Sequence, residues 1–146
     1  LNYVPATDFS GLDVIQYTVS DFAGNFVNSQ VNIDVTPVND APVTGVIGPQ
    51  SVIEDGAITI NVLATATDVD GDPLVIVSAN AANGTLLING NGTLTFNPDP
   101  DFNGNDTISY TIDDGNGGTA SSSFGRGSPS EVWARGFPTR SSSSSS

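Results

Sequence analysis

The sequence predicts an all-β protein built from antiparallel β-sandwich modules in tandem. Three observations carry that expectation: an internal repeat at a fixed offset, apolar residues alternating with period two, and turn dipeptides between the alternating runs. Residues 1–24 align without gaps to 94–117, with eleven identities including Pro5/Pro98, Asp8/Asp101, Phe9/Phe102, Asp13/Asp106, Tyr17/Tyr110 and Gly24/Gly117. A self-match at an offset of 93 residues is the signature of a modular array.

The strands follow from alternation. Ile58, Ile60 and Val62 alternate with Thr59 and Asn61, and Ile108, Tyr110 and Ile112 alternate with Thr and Ser. Val27, Val31, Ile33 and Val35 share one face of 27–35. One apolar face at period two means a half-buried strand. Further strands are expected near 45–53, 73–79, 85–89 and 93–97. Asn-Gly pairs at 83–84, 89–90, 91–92, 103–104 and 116–117 supply the turns between them. No useful helical period is present, and about seven short strands per module suit a β-sandwich.

The repeat register also sets boundaries. Residues 1–36 read as the C-terminal part of one module and 37–43 as a stiff linker, PVNDAPV with its two prolines. Residues 44–124 read as a second module. Leu1 is not Met, which suggests a piece of a longer chain. Similarity to the first copy fades near Ser121. Residues 125–146 hold the one Trp, all three Arg and a terminal Ser run, and read as a disordered tail foreign to the repeat. At the offset of 93, Val27, Val31, Ile33 and Val35 correspond to Ala120, Phe124, Arg126 and Ser128. The second module is therefore expected to lack a normal last strand. A marginal monomer would follow, or an association in which strand 27–35 of another chain fills the gap.

Composition narrows function. The 146 residues contain no Cys, His or Met. That excludes disulfides, thiol catalysis, His metal sites and Ser-His-Asp triads. No apolar run is long enough for a transmembrane helix. Sixteen acids face three Arg and no Lys; only Glu131 follows Gly125, so 1–125 carries fifteen acids and no base. Nucleic acid and anionic membranes are poor partners for such a surface. Either bound cations neutralise particular Asp clusters, or the acidity is a general coating.

Spacing favours the cations. Asp68-Val69-Asp70-Gly71-Asp72 offers alternate carboxylates on one loop, and Ca²⁺ takes six to eight oxygen ligands. An EF-hand loop would need a bidentate acid at its twelfth position, where Ala79 stands. Asp113-Asp114-Gly115, Asn39-Asp40, Glu54-Asp55-Gly56 and Asp101 with its copy Asp8 fall at expected strand ends and joints. The spacing of Asp13 to Tyr17, repeated from Asp106 to Tyr110, resembles the tyrosine corner of immunoglobulin-like folds.

Taken together, EDG, ATATDVDGDPL, NGTLTFNPDPDFNGNDTISYTIDDGNGG and the bracketing VNDAP resemble the cadherin-like tandem repeats of large bacterial surface and secreted proteins, RTX-type adhesins among them. The resemblance covers about residues 1–120. It implies an immunoglobulin- or cadherin-like sandwich with Ca²⁺ at the joint between modules. Asp8 would come from the upper module, Asn39 and Asp40 from the linker, and Asp68, Asp70 and Asp114 from the lower module. Glu54 and Asp101 would serve a further joint. The sequence departs from the family at Pro37, where the linker usually has another Asp, and in lacking a paired acid after Asp8.

The function implied is a non-catalytic, calcium-stiffened spacer of an extracellular or cell-surface adhesin, whose expected partners are neighbouring modules of the same chain and an extracellular polysaccharide or cell-surface ligand. The alternative is a carbohydrate-binding or spacer module of a secreted polysaccharide-active enzyme. That alternative calls for exposed aromatics, for which Phe22 and Phe26 are the candidates. Paired acids suit glycoside hydrolysis in principle, but repetition of the same acids in each module suits a structural ion better.

Overall fold

The structure is a computed structural model that describes residues 1–127. The chain divides into two compact units, Leu1–Asn39 and a second beginning at Asp40. Residues 40–43, read as linker, thus belong with the second unit. Val43 pairs with Thr67 through two backbone hydrogen bonds of 2.8 and 2.9 Å.

The first unit is a two-stranded antiparallel hairpin, β1 (Gly11–Ser20) and β2 (Phe26–Val35). Its pairing runs from Gly11 opposite Val35 to Ser20 opposite Phe26. Asp21 shapes the turn: its Oδ1 accepts the Ala23 and Asn25 N–H groups, and its Oδ2 accepts from the Asn25 side chain. These bonds hold the Asp21 carboxyl below its ordinary range, the Asn25 side-chain amide contributing most.

The second unit is a sandwich of seven strands: β3 (Gln50–Ser51), β4 (Ile58–Asn61), β5 (Val75–Asn80), β6 (Gly84–Ile88), β7 (Thr93–Pro98), β8 (Asp106–Asp113) and β9 (Thr119–Gly127). One sheet has the order β3-β9-β8-β5 and the other β4-β7-β6. All pairings are antiparallel except β3 with β9. The alternation read from sequence points inward: Ile60, Leu94 and Phe96 of one sheet face Ile108, Tyr110, Ile112 and Phe124 of the other. The all-β antiparallel sandwich expected from period two is the fold found. β4 stops at Asn61, one residue short of the alternation that ran to Val62, because a 3₁₀ turn begins at Leu63 and the Asn61 side chain accepts the Ala64 N–H.

The repeat extends to backbone detail. Ser20 opposite Phe26 becomes Asp113 opposite Thr119, and Asp13 opposite Ile33 becomes Asp106 opposite Arg126. The turn before each hairpin is also the same: Phe9 N–H to Ala6 O and Phe102 N–H to Asp99 O, with Asp8 and Asp101 at φ of 60° and 59°. Asp tolerates this left-handed conformation better than most residues.

Two expectations are corrected here. The last strand of the second module is not lost: β9 pairs with β8 over eight residues, from Asp113↔Thr119 to Asp106↔Arg126. The ladder is made of backbone groups, which Ser and Gly supply as well as Val. Phe124 packs 6.2 Å from the Tyr110 ring, and the Arg126 guanidinium lies 5.1 Å from the ring centroids of both Phe96 and Phe102. One aromatic and one long aliphatic stem thus fill the inward positions that shorter apolar residues hold in β2. Residues 125–127 belong to this strand rather than to the tail, and the rest of the tail expectation, 128–146, lies outside the described residues. Without a vacant edge beside β8, the association through strand 27–35 loses its acceptor.

The tyrosine corner is also absent. Tyr110 points into the core from mid-strand and its buried hydroxyl has no hydrogen-bond partner. The Asp that recurs with it has a separate task. Buried Asp106 accepts the N–H groups of Asn83 (2.9 Å), Thr107 (2.8 Å) and, more weakly, Ala82 (3.4 Å), which ties the β5–β6 connection to the start of β8. In the first hairpin its copy Asp13 accepts from Tyr3 Oη at 2.8 Å, raising the Tyr3 pKa.

Candidate metal centre at one end of the second unit

The loop 68–72 folds around its own first carboxylate. Asp68 Oδ1 accepts the N–H groups of Asp70 (2.9 Å) and Asp72 (3.3 Å). The Gly71 N–H reaches Asp68 O at 3.4 Å, and Gly71 takes φ 80°, which a side chain would resist. The result is that one oxygen from each of Asp68, Asp70 and Asp72 lies within 4.8 Å of the others. Among the described residues this is the group of three acids that converges in this way. Asp68 Oδ2 is buried and has no hydrogen-bond partner. A buried carboxylate oxygen without a donor is costly, and a hard cation satisfies it.

Neighbouring strands bring further oxygens to the same end. The Val43–Thr67 bridge places the 40–43 segment alongside the residue before Asp68. There the Asp40 N–H donates to Asp70 Oδ2 at 2.7 Å. Val75, which starts β5, pairs with Asp113 at the end of β8, so the β8–β9 turn lies at this end too. Asp114 in that turn is 2% exposed, and its Oδ1 accepts the N–H groups of Asn116 and Gly118. A Cβ on Gly118 would overlap Asp114 Oδ2 and come within 2.7 Å of Ala41 Cα. The missing side chain is therefore what lets residue 41 approach the Asp114 turn.

Of the residues chosen from sequence, Asp40, Asp68, Asp70 and Asp114 meet at one end of the second unit. Asp72 completes the converging trio and was not in that set; it lies in the same DxDGD motif, so the signal was present. Glu54 and Asp101 lie at the opposite end, beyond the start of β8, about 25 Å away for eight strand residues. Asp8 and Asn39 belong to the first unit.

A family model described as cadherin-like domain matches residues 38–125. The chain belongs to the cadherin-like domain family. No curated protein matches the sequence. Among solved structures, an endo-fucoidan hydrolase of glycoside hydrolase family 107 is similar at 15% identity and a TM-score of 0.41, over 85% of this chain and 20% of that one. A second endo-fucoidan hydrolase of that family gives 14% and 0.40, over 84% and 23%. A nucleoside hydrolase-related protein from Saccharophagus degradans, associated with carbohydrate metabolism, gives 14% and 0.46, over 63% and 26%. This cadherin-like chain therefore spans about a quarter or less of the structures it resembles. No helix among its described residues is long and apolar enough to cross a membrane.

Proposed function

We propose that this cadherin-like chain is a non-catalytic calcium-binding module of an extracellular protein, acting as a spacer in a bacterial surface adhesin. The observation that carries the reading is the buried, unpartnered Asp68 Oδ2 in a loop that already converges three carboxylates. Asp68, Asp70 and Asp72 would hold the ion, with Asp40 arriving from the entering chain. Oxygen donors alone suit Ca²⁺, and Mg²⁺ much less, because Mg²⁺ is small and gives up water reluctantly. An ion joining the 68–72 loop to residue 40 stiffens the point where the chain enters the module. That is the use a spacer has for it. Family membership supports the extracellular setting, where Ca²⁺ is abundant.

The test is thermal unfolding of the whole chain with Ca²⁺, with Mg²⁺ and with chelator at moderate salt. Ca²⁺ at a hundredfold excess over its Kd stabilises by about 2.7 kcal/mol. Asp68→Asn keeps Oδ1 as a turn acceptor while removing the charge, and should abolish most of the shift. Coincident melting curves with Ca²⁺ and chelator would show that the acids are a generic surface.

A further inference from the structure

The face of each hairpin turned away from the apolar positions carries a feature that calcium binding does not use. In β1–β2, Thr18 lies opposite Asn28 and Gln16 opposite Gln30. Thr18 Oγ1 donates to Asn28 Oδ1 at 2.7 Å. With Tyr17 and Ser29 these residues line an open concavity of about 690 Å³. Ninety-three residues on, Thr111 lies opposite Ser121 with their hydroxyls 2.8 Å apart. Together with Ser109 and with Ser78 and Asn80 of β5, they line a second concavity of about 300 Å³. The same register positions thus form a hollow in each unit.

The two hollows are alike in carrying no charged side chain. No carboxylate or cation lines either one, in a stretch of chain that holds fifteen acids. The polar groups of the linings are hydroxyls and primary amides, which both donate and accept, and Tyr17 in the first hollow and Ala79 and Tyr110 in the second add apolar surface. Among the described residues no partner holds the Gln16 amide. The other polar side chains of the strip are partly engaged, since Thr18 donates to Asn28 and the Gln30 amide donates to Asn32 Oδ1 at 3.1 Å, which leaves Gln16 as the amide open to a ligand. Strand alternation puts Phe26 on the same face as Asn28 and Gln30, and 70% of it is exposed. An exposed ring beside a row of amides offers an apolar platform and directional hydrogen bonds on one surface.

We propose that the strip Gln16, Thr18, Phe26, Asn28 and Gln30 binds an uncharged hexose polysaccharide, and that the hollow at Ser109, Thr111 and Ser121 is a weaker subsite of the same kind. The C–H face of a pyranose ring packs on Phe26 while its hydroxyls exchange hydrogen bonds with the amides. Absence of charge in the strip and acidity around it set the preference for a neutral polymer over a sulfated or carboxylated one. Phe22, in the hairpin turn and fully exposed, is outside the paired strip and plays no part.

The experiment is native affinity electrophoresis of the whole chain through gels containing galactomannan, dextran or a mixed-linkage β-glucan, with dextran sulfate as the charged comparison. Retardation by at least one neutral polymer is expected. Phe26→Ala should weaken it about tenfold and Gln30→Ala about fivefold. Both side chains are exposed, so neither change should unfold the protein, and circular dichroism verifies this. Thr59→Ala, on the outer face of the other sheet, should leave retardation unchanged. No retardation by any neutral polymer, retardation by dextran sulfate alone, or retardation that survives both strip substitutions would each overturn the proposal.

Discussion

Replacing Asp106 by Ala tests the claim that this acid holds the β5–β6 connection. The side chain is 8% exposed and accepts two strong backbone hydrogen bonds, from Asn83 and Thr107, and one weak one, from Ala82. A hydrogen bond to a charged group contributes about 1.5–3 kcal/mol. The two strong bonds therefore account for about 3–6 kcal/mol, and the donors left behind stay partly buried. Part of this is offset because the variant no longer desolvates a carboxylate. A net loss of about 3 kcal/mol follows. The second unit's stability falls in the range of about 5–15 kcal/mol expected of a domain, so the effect is large. In urea unfolding, with a slope of about 1 kcal/mol/M for a unit of this size, the midpoint should drop by about 3 M. Asp106→Asn retains one acceptor and should lose about 1 kcal/mol. A shift below about 0.5 M for the Ala variant would refute the assignment of Asp106 as the tie.

Three further outcomes follow from the same geometry. Gly118→Ala forces a Cβ against Asp114 and Ala41 Cα and should cost about 1–3 kcal/mol in thermal melts, whereas Gly90→Ala, with nothing near its Cβ, should stay within about 0.5 kcal/mol. Trypsin should not release fragment 1–126 from the native chain, because Arg126 is 2% exposed within β9; the fragment should appear only as urea opens the strand, on electrophoresis or mass spectrometry. Asp21 has a lowered pKa in the hairpin turn, so its contribution is present above the ordinary carboxylate range and lost as pH falls through the lowered value. Amide signals of Ala23 and Asn25 should titrate in that acid window by NMR, and Asp21→Asn should remove the transition.

Local rules made much of this protein legible before its structure. Period-two alternation in 58–62, 106–112 and 27–35 is a property of the strand itself, because successive side chains leave opposite faces. The 93-residue repeat likewise carried over to the register of both hairpins, since equal residue spacing makes equal ladders. The DxDGD motif predicted a metal loop because its carboxylates are neighbours in sequence and one Asx-type turn gathers them. What depended on distant partners was decided only by tertiary structure. Arg126 reads as a charge that ends a strand, yet Phe96 and Phe102 shelter its guanidinium and a backbone ladder indifferent to side-chain type carries β9 past it. Asp106 beside a repeated Tyr suggested a tyrosine corner, and only the approach of residues 82–83 showed which donors it serves. The hollows beside Thr18 and Thr111 need two paired strands to exist, and Phe26 joins the amide row through register alone. Pairwise chemistry between residues far apart in the chain is set by the path of the backbone between them, and that path is fixed only when the sheets close on a common core.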